Sequence, residues 1–354
     1  MAQHQLISIP ASHYCERARW ALDYAGIPFV EHKWPPMLHY FGTLPASGTR
    51  TVPVLKCPAT PTQKARVLTD SQDIVRYAHE RLLQAPPAIP SSTPARDNSA
   101  QAGSHPSRPI GSPLYPSDPD QLREVERLEE LFARKLGVWT RVVAYHHLFS
   151  DRSRALDVLA PRQQQQQLLP QQQQVPQQQQ QQPAMAMAGW KAAGLRGSYG
   201  LVRGAICRGL RVDERGAAAC LERIRRTFRE VGELLERGGG GYLVGDRFTA
   251  ADLTFAAMAA IVLMPDQYGA YLPSLDCWPG EFPGRELRDT TAGRHALRMY
   301  ERHRHRRLDD GGASPAAMPA GVGRGAGEAV TGAVGVERPG AVAEAVLPAV
   351  RARM

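Results

Sequence analysis

Ser12-His13-Tyr14-Cys15-Glu16-Arg17-Ala18-Arg19-Trp20-Ala21-Leu22 is the stretch from which the rest of the chain is read. Cys15, Ala18, Leu22 and Ala25 recur at helical spacing, with Ala21 beside them. Gly26 stops the helix and Pro28 follows it. Upstream, Leu6-Ile7-Ser8-Ile9 is a short strand pattern closed by Pro10. Ser12 and His13 therefore stand in the turn between a strand and a helix N-terminus. Such a terminus carries unpaired backbone N–H groups and a partial positive charge. It favours an anion, and a thiolate is one.

Moving outward, Phe29-Val30-Glu31-His32 is a second strand pattern. Residues 33–51, with Pro35, Pro36, Pro45 and Gly48, read as an irregular loop of the kind that lines binding sites. Thr51-Val52-Pro53-Val54-Leu55 is a strand pattern interrupted by proline, which cannot donate to a central ladder and so marks a strand start or a special bond. Val67-Leu68-Thr69 is a further strand. Asp70 or Ser71 then caps a helix whose apolar face is Ile74, Val75, Ala78 and Leu82, and Pro86-Pro87 forbids its continuation.

Residues 85–120 are rich in Pro, Ser, Gly and Ala and read as a disordered linker. Leu122, Val125, Leu128, Phe132, Leu136, Trp139 and Val143 trace one face of a long helix ending near Ser150. Residues 163–182 are almost all Gln, and a Gln tract cannot bury enough apolar surface to offset its ordering entropy. The stretch of about 151–210 is therefore expected to be a disordered insertion. Leu221, Ile224, Phe228, Val231 and Leu235 form the next amphipathic helix. Gly245-Asp246-Arg247-Phe248-Thr249-Ala250-Ala251-Asp252 opens the most apolar helix, with Thr249 as N-cap and Asp252 as its capping-box partner. Residues 285–307 read as a last basic helix with a solvated end, and 311–354 as a disordered tail.

At 354 residues there is room for two ordinary domains. Only 7% of residues are aromatic, beside 32 Gly and 29 Pro, so the core belongs to a smaller part of the chain. The formal charge of +9 comes without any nucleic-acid-binding motif, and no nucleic-acid partner is expected. Five cysteines form no C-x-x-C pair and no zinc spacing, which points to a reducing compartment and to no metal. The longest apolar run, Leu253 to Met264, has 12 residues, against about 20 for a membrane span. The first strand begins at about residue 5, so no targeting peptide is expected before it, and the expected location is cytoplasmic.

The order strand, helix, strand, loop, Val-Pro strand, strand, Asp-Ser helix resembles the thioredoxin-like N-terminal domain of soluble glutathione transferases. The segment from Gly245 to Asp252 resembles the capping segment of that family's all-helical second domain. The resemblance covers about residues 5–84, and 121–149 with 210–306 more loosely. It implies an α/β plus all-α fold: a thioredoxin-like domain over 1–84, then a helical domain over 121–310 interrupted by the Gln-rich insertion.

The resemblance also implies the substrate, reduced glutathione, and a small electrophile as second substrate. Ser12 precedes Arg17 by five residues, as the catalytic serine does in the tau and zeta classes, so Ser12 falls at the catalytic position. Val52 and Pro53 correspond to the cis-proline element that holds the substrate cysteine through backbone groups. Asp70 and Ser71 correspond to the γ-glutamyl site, where members usually have Glu in place of Asp70. Thr51 stands where many members have Lys or Gln, and Arg50 is the available stand-in for the glycine carboxylate. The second-substrate pocket is expected beside Trp139 and Tyr145. A homodimer is compatible with the family.

The energetics are sufficient. Lowering a thiol pKa from about 8.5 by about two units needs roughly 2.7 kcal/mol favouring the anion. A hydroxyl donating to charged sulfur supplies about 1.5–3 kcal/mol, and the helix end about 0.3–1. Tyr14 and Cys15 compete with Ser12: Tyr14 as a second hydroxyl or a packed aromatic, Cys15 as a resolving thiol or a buried apolar residue. His13 reads as a surface imidazole. Three functions stay open: conjugation of glutathione to electrophiles, a non-catalytic binding or assembly module, and thiol–disulfide exchange through Cys15.

Overall fold

A four-stranded sheet in the order β2-β1-β3-β4 is built from β1 (His4–Ser8), β2 (Phe29–Lys33), β3 (Val54–Cys57) and β4 (Arg66–Leu68). The computed structural model describes residues 3–60, 64–84, 112–159, 189–239 and 241–304. β1 runs parallel to β2 and antiparallel to β3, with Leu6 opposite Glu31 on one side and Leu55 on the other. Between the parallel pair lies α1 (His13–Tyr24), as a parallel connection requires. Gly26, at φ 64°, turns the chain out of α1 through the left-handed region that glycine enters without steric cost. α3 (Ser71–Gln84) packs beside α1 and closes this half.

The loop expected over 33–51 contains a helix, α2 (Tyr40–Ser47), with Pro45 inside it. Its eight residues are too few for proline and glycine punctuation to reveal a period, and Gly48 at φ 70° terminates it. Pro53 immediately precedes β3, so the strand-start reading holds, and the Val52–Pro53 peptide is cis.

The second half begins with α4 (Pro119–Leu131), capped by Asp118. A π turn, Phe132–Leu136, carries the chain into α5 (Gly137–Leu148). α6 (Arg152–Leu159), α7 (Gly189–Leu210) and α8 (Glu214–Arg237) follow. The centre is α9 (Ala250–Leu263), in which every residue is buried. A helix apolar on all sides belongs inside, and α9 packs on α1, α4, α5 and the final helices. Asp252 makes the predicted cap: it accepts from the Thr249 N–H (3.0 Å) and hydroxyl (2.9 Å). Its other oxygen accepts from the Leu243 N–H (2.9 Å) and from His295 (3.1 Å).

Three sequence expectations need correcting. The stretch 151–210 is helical at both ends: α6 buries Ala155, Val158 and Leu159, and α7 buries Leu195, Tyr199 and Val202. The Gln tract dominates the composition of that window and hides these short apolar faces; residues 160–188 lie outside the described residues. In the linker expected over 85–120, Leu114 and Tyr115 are buried in the core. Residues 85–111, like the tail 311–354, lie outside the described residues. The basic segment 285–307 is two helices, α10 (Gly284–Arg288) and α11 (Thr291–Met299), followed by a π turn, Tyr300–Arg304. Thr290 caps α11, and a Cβ on Gly293 would lie 1.9 Å from the Leu287 carbonyl oxygen, so the junction accepts only glycine. Arg304 is not solvated but buried, paired with Glu16 at 2.6 Å and Asp23 at 2.8 Å.

All described residues belong to one compact unit. Among the described residues no helix is long and apolar enough to cross a membrane.

Candidate functional site

Ser12 is the N-cap of α1, with extended backbone angles, and its hydroxyl oxygen accepts from the Cys15 N–H at 3.4 Å. The same hydroxyl hydrogen-bonds the Cys15 thiol, a contact that opposes the burial-driven rise of that thiol's pKa. The loop in front of it is pinned from behind. The Tyr268 hydroxyl donates to the Ala11 carbonyl (3.1 Å), and Arg19 donates to the Pro10 carbonyl (2.6 Å). Arg19 is itself held by Glu31 at 2.7 Å and Glu16 at 2.5 Å. Burial would raise the Glu16 carboxyl, but Arg304 and then Arg19 keep it below the usual range. This buried ion network fixes the loop without touching its front face.

That front face opens on a cavity of about 270 Å³ lined by Ser12, Tyr14, Val52, Arg50, Arg141 and Tyr145, among others. Ser12 and Val52 both line it, and Pro53 is buried. The cavity's apolar lining includes Leu148, Val158, Ile206, Leu210, Met264 and Trp278. Tyr145 also lines the cavity. Trp139 is not among the lining residues and instead lies under Arg223, 5.7 Å from ring centre to guanidinium. The helices α6 and α7, hidden in the Gln-rich stretch, supply part of the wall.

The competitors of Ser12 are committed elsewhere. The Tyr14 hydroxyl donates to the Ala133 carbonyl at 2.7 Å, in the π turn, and burial raises its pKa. Cys15 is fully buried, accepts from the Ile9 N–H at 3.5 Å, and burial pushes its thiol up to about 11. A buried, protonated thiol is a poor nucleophile, which argues against exchange through Cys15. His13 is not a surface imidazole. It is buried, bonded through Nε2 to the Gly137 carbonyl at 2.8 Å, and its pKa is lowered to about 3 by burial and then by Arg141.

Asp70 and Ser71 lie at the start of α3 and are not among the cavity's lining residues. The Asp70 carboxylate accepts from the Gln72 N–H at 2.7 Å, a helix cap, and its side chain is exposed. Its charge still reaches the site, since it acts to raise the Tyr14 phenol pKa. Ser71 is buried and accepts from Arg17 at 3.2 Å. Arg17 also pairs with the buried Glu129, to which the Tyr115 hydroxyl donates at 2.9 Å. The Arg17–Glu129 pair therefore ties α1 and α3 to α4.

Sequence reading missed His39 and Arg141. His39 is buried in the cavity wall, its Nε2 donating to the Arg50 carbonyl at 2.9 Å. No local motif marks either residue; both reach the site only through the packing of α2 and α5. Among the described residues no group of His, Cys, Asp and Glu could hold a metal.

The family model for the glutathione S-transferase N-terminal domain matches residues 6–85, and that for the C-terminal domain matches residues 213–300. Similar solved structures include FzlA from C. crescentus, 17% identical, covering 84% of this chain and 92% of that one, with a TM-score of 0.43. A glutathione transferase from Burkholderia graminis, with two glutathione molecules bound per subunit, is 14% identical, with 84% and 82% coverage and a TM-score of 0.45. A glutathione S-transferase from Rhodospirillum rubrum F11 is 17% identical, with 90% and 96% coverage and a TM-score of 0.46. No curated protein matches the chain. The first family model spans β1 to α3 and the second spans α8 to α11, in the order in which the two halves are packed around α1 and α9. The chain carries the N-terminal and the C-terminal domain of the glutathione S-transferase family, over residues 6–85 and 213–300.

Proposed function

We propose that this protein is a glutathione transferase that conjugates reduced glutathione to small electrophiles, with the Ser12 hydroxyl stabilising the thiolate. The observation that carries this reading is the placement of that hydroxyl. It sits at the N-cap of α1 and lines the same cavity as Val52. The glutathione sulfur would lie against it. The backbone of Val52 would pair with the cysteinyl residue, and Arg50 would meet the glycine carboxylate. The γ-glutamyl end would reach the start of α3, where helix N–H groups suit a carboxylate and Asp70 suits the amine. The apolar part of the cavity's lining would take the electrophile. The expected setting is the cytosol, from the scattered and odd-numbered cysteines.

Ultraviolet absorbance of the bound thiolate against pH tests binding and activation together. The wild-type midpoint is expected well below the free-thiol value of about 8.5. Ser12→Ala should raise it by about one to two pH units and lower conjugation by about 10- to 100-fold, the value of a hydrogen bond to charged sulfur. A variant as active as wild type, with the same midpoint, refutes the role of Ser12.

One observation favours a second reading, a binding module without turnover. The Asp70 carboxylate is engaged by its own helix and the Ser71 hydroxyl by Arg17, which weakens the γ-glutamyl grip. Retention on glutathione-agarose with no conjugation of any electrophile would select it.

A further inference from the structure

We propose that Arg141 makes the second-substrate end of the cavity selective for electrophiles that carry a carboxylate on an apolar body. This inference rests on the assignment of the cavity to glutathione and an electrophile. Among the described residues lining the cavity are two cations of fixed charge, Arg50 and Arg141, and no Asp or Glu. Arg50 leaves the connection between α2 and β3, on the side proposed for the glycine carboxylate. Arg141 stands on α5, one turn before Ala144 and Tyr145 and two turns before Leu148, all of which line the same cavity.

Among the described residues, no acidic side chain pairs with Arg141. Its guanidinium lies 5.8 Å from the Tyr14 ring centre, and its Nε is buried without a hydrogen-bond partner. The titratable neighbours are neutral: His13 is held unprotonated, and burial raises the phenols of Tyr14 and Tyr145 despite the opposing pull of Arg141. A guanidinium drawn partly out of water with no acceptor is unfavourable, and a planar carboxylate is the acceptor its geometry fits best. Both carboxylates of glutathione already have candidate partners at Arg50 and the start of α3. The sulfur has Ser12. Arg141 is therefore left for the other substrate.

The test uses two unreactive probes of nearly the same shape, 3,5-dinitrobenzoate and its methyl ester, bound to the full chain and followed by calorimetry. Wild type should bind the carboxylate about 10-fold tighter than the ester. Arg141→Met should abolish that preference while leaving ester affinity unchanged, and Arg141→Lys should keep part of it. No preference in wild type, a preference that survives in Arg141→Met, or no binding of either probe overturns the proposal. The thiolate midpoint of bound glutathione should be the same in Arg141→Met as in wild type. A raised midpoint without a carboxylate preference assigns Arg141 to the sulfur and overturns the proposal too. Failure of the Ser12 experiment alone leaves the probe preference intact, so the two readings fail separately.

Discussion

The His13 imidazole donates from Nε2 to the Gly137 carbonyl oxygen across 2.8 Å, joining the first turn of α1 to the helix that follows the π turn. Beside it the Tyr14 hydroxyl donates to the Ala133 carbonyl. The two bonds flank the turn in which the backbone widens from α to π. Gly137 allows this close approach: a Cβ would lie 2.5 Å from the Met258 sulfur and 2.8 Å from the Tyr14 hydroxyl oxygen, and those side chains would have to shift. The active loop is thus registered against the helical half by two consecutive side chains.

That register has a pH signature. Burial first, then Arg141, lowers the His13 pKa to about 3. In the unfolded chain His13 takes a proton at about pH 6.5 that the folded chain refuses until about pH 3. Its contribution is therefore complete above pH 6.5 and falls as pH drops through that window, by about 1.4 kcal/mol per unit. Between about pH 7 and 5, wild type should lose about 2 kcal/mol more unfolding free energy than His13→Gln. Urea unfolding at the two pH values checks this, and an equal loss in both proteins would show that His13 is not held neutral.

Glu31 carries the opposite signature. Burial would raise its carboxyl, but Arg19, then Lys33 and the Ser8 hydroxyl, hold it at about 2. The depressed value stabilises the fold fully above about pH 4.5, and the gain is lost as pH falls toward 2. Glu31→Gln should be less stable than wild type by about 2 kcal/mol or more at neutral pH, because Arg19 loses a buried anion. The two proteins should converge in stability as pH approaches about 2. Thermal midpoints measured down the acid limb decide it; a constant gap would mean that Arg19 does not depend on the Glu31 charge.

What the sequence disclosed and what it hid follow from interaction range. The Thr249–Asp252 cap, the turn that places Ser12 ahead of α1 and the proline before β3 are set by residues within four positions of one another, and each was legible. His13 was misread because its partner lies 124 residues away. Arg304 was misread for the same reason, since its acids are on α1. A charged residue near a helix end looks solvated until the fold brings a carboxylate to it. The failure at 151–210 differs in kind: composition averaged over a Gln-rich window outweighed the short apolar faces of α6 and α7.

Those faces matter to the reaction proposed. α7 is fastened at its start, where the Lys191 ammonium lies 3.4 Å from the Trp34 ring centre and donates to the Lys33 carbonyl at 3.3 Å. Trp190 meets Trp34 edge-on. Four to five turns on, Ile206 and Leu210 are among the apolar residues that line the cavity. Truncating Ile206 should therefore weaken the electrophile's binding and leave sulfur activation alone. Ile206→Ala is expected to raise the KM for an apolar electrophile by about 3- to 10-fold, the value of part of a buried aliphatic side chain. The glutathione KM and the thiolate midpoint should not move. Ser12→Ala should do the reverse, lowering kcat through the thiolate. Initial rates with the electrophile varied at saturating glutathione separate the two. An unchanged electrophile KM would remove α7 from the substrate wall, and a parallel loss of glutathione affinity would mean that the helix supports the whole cavity rather than one end of it.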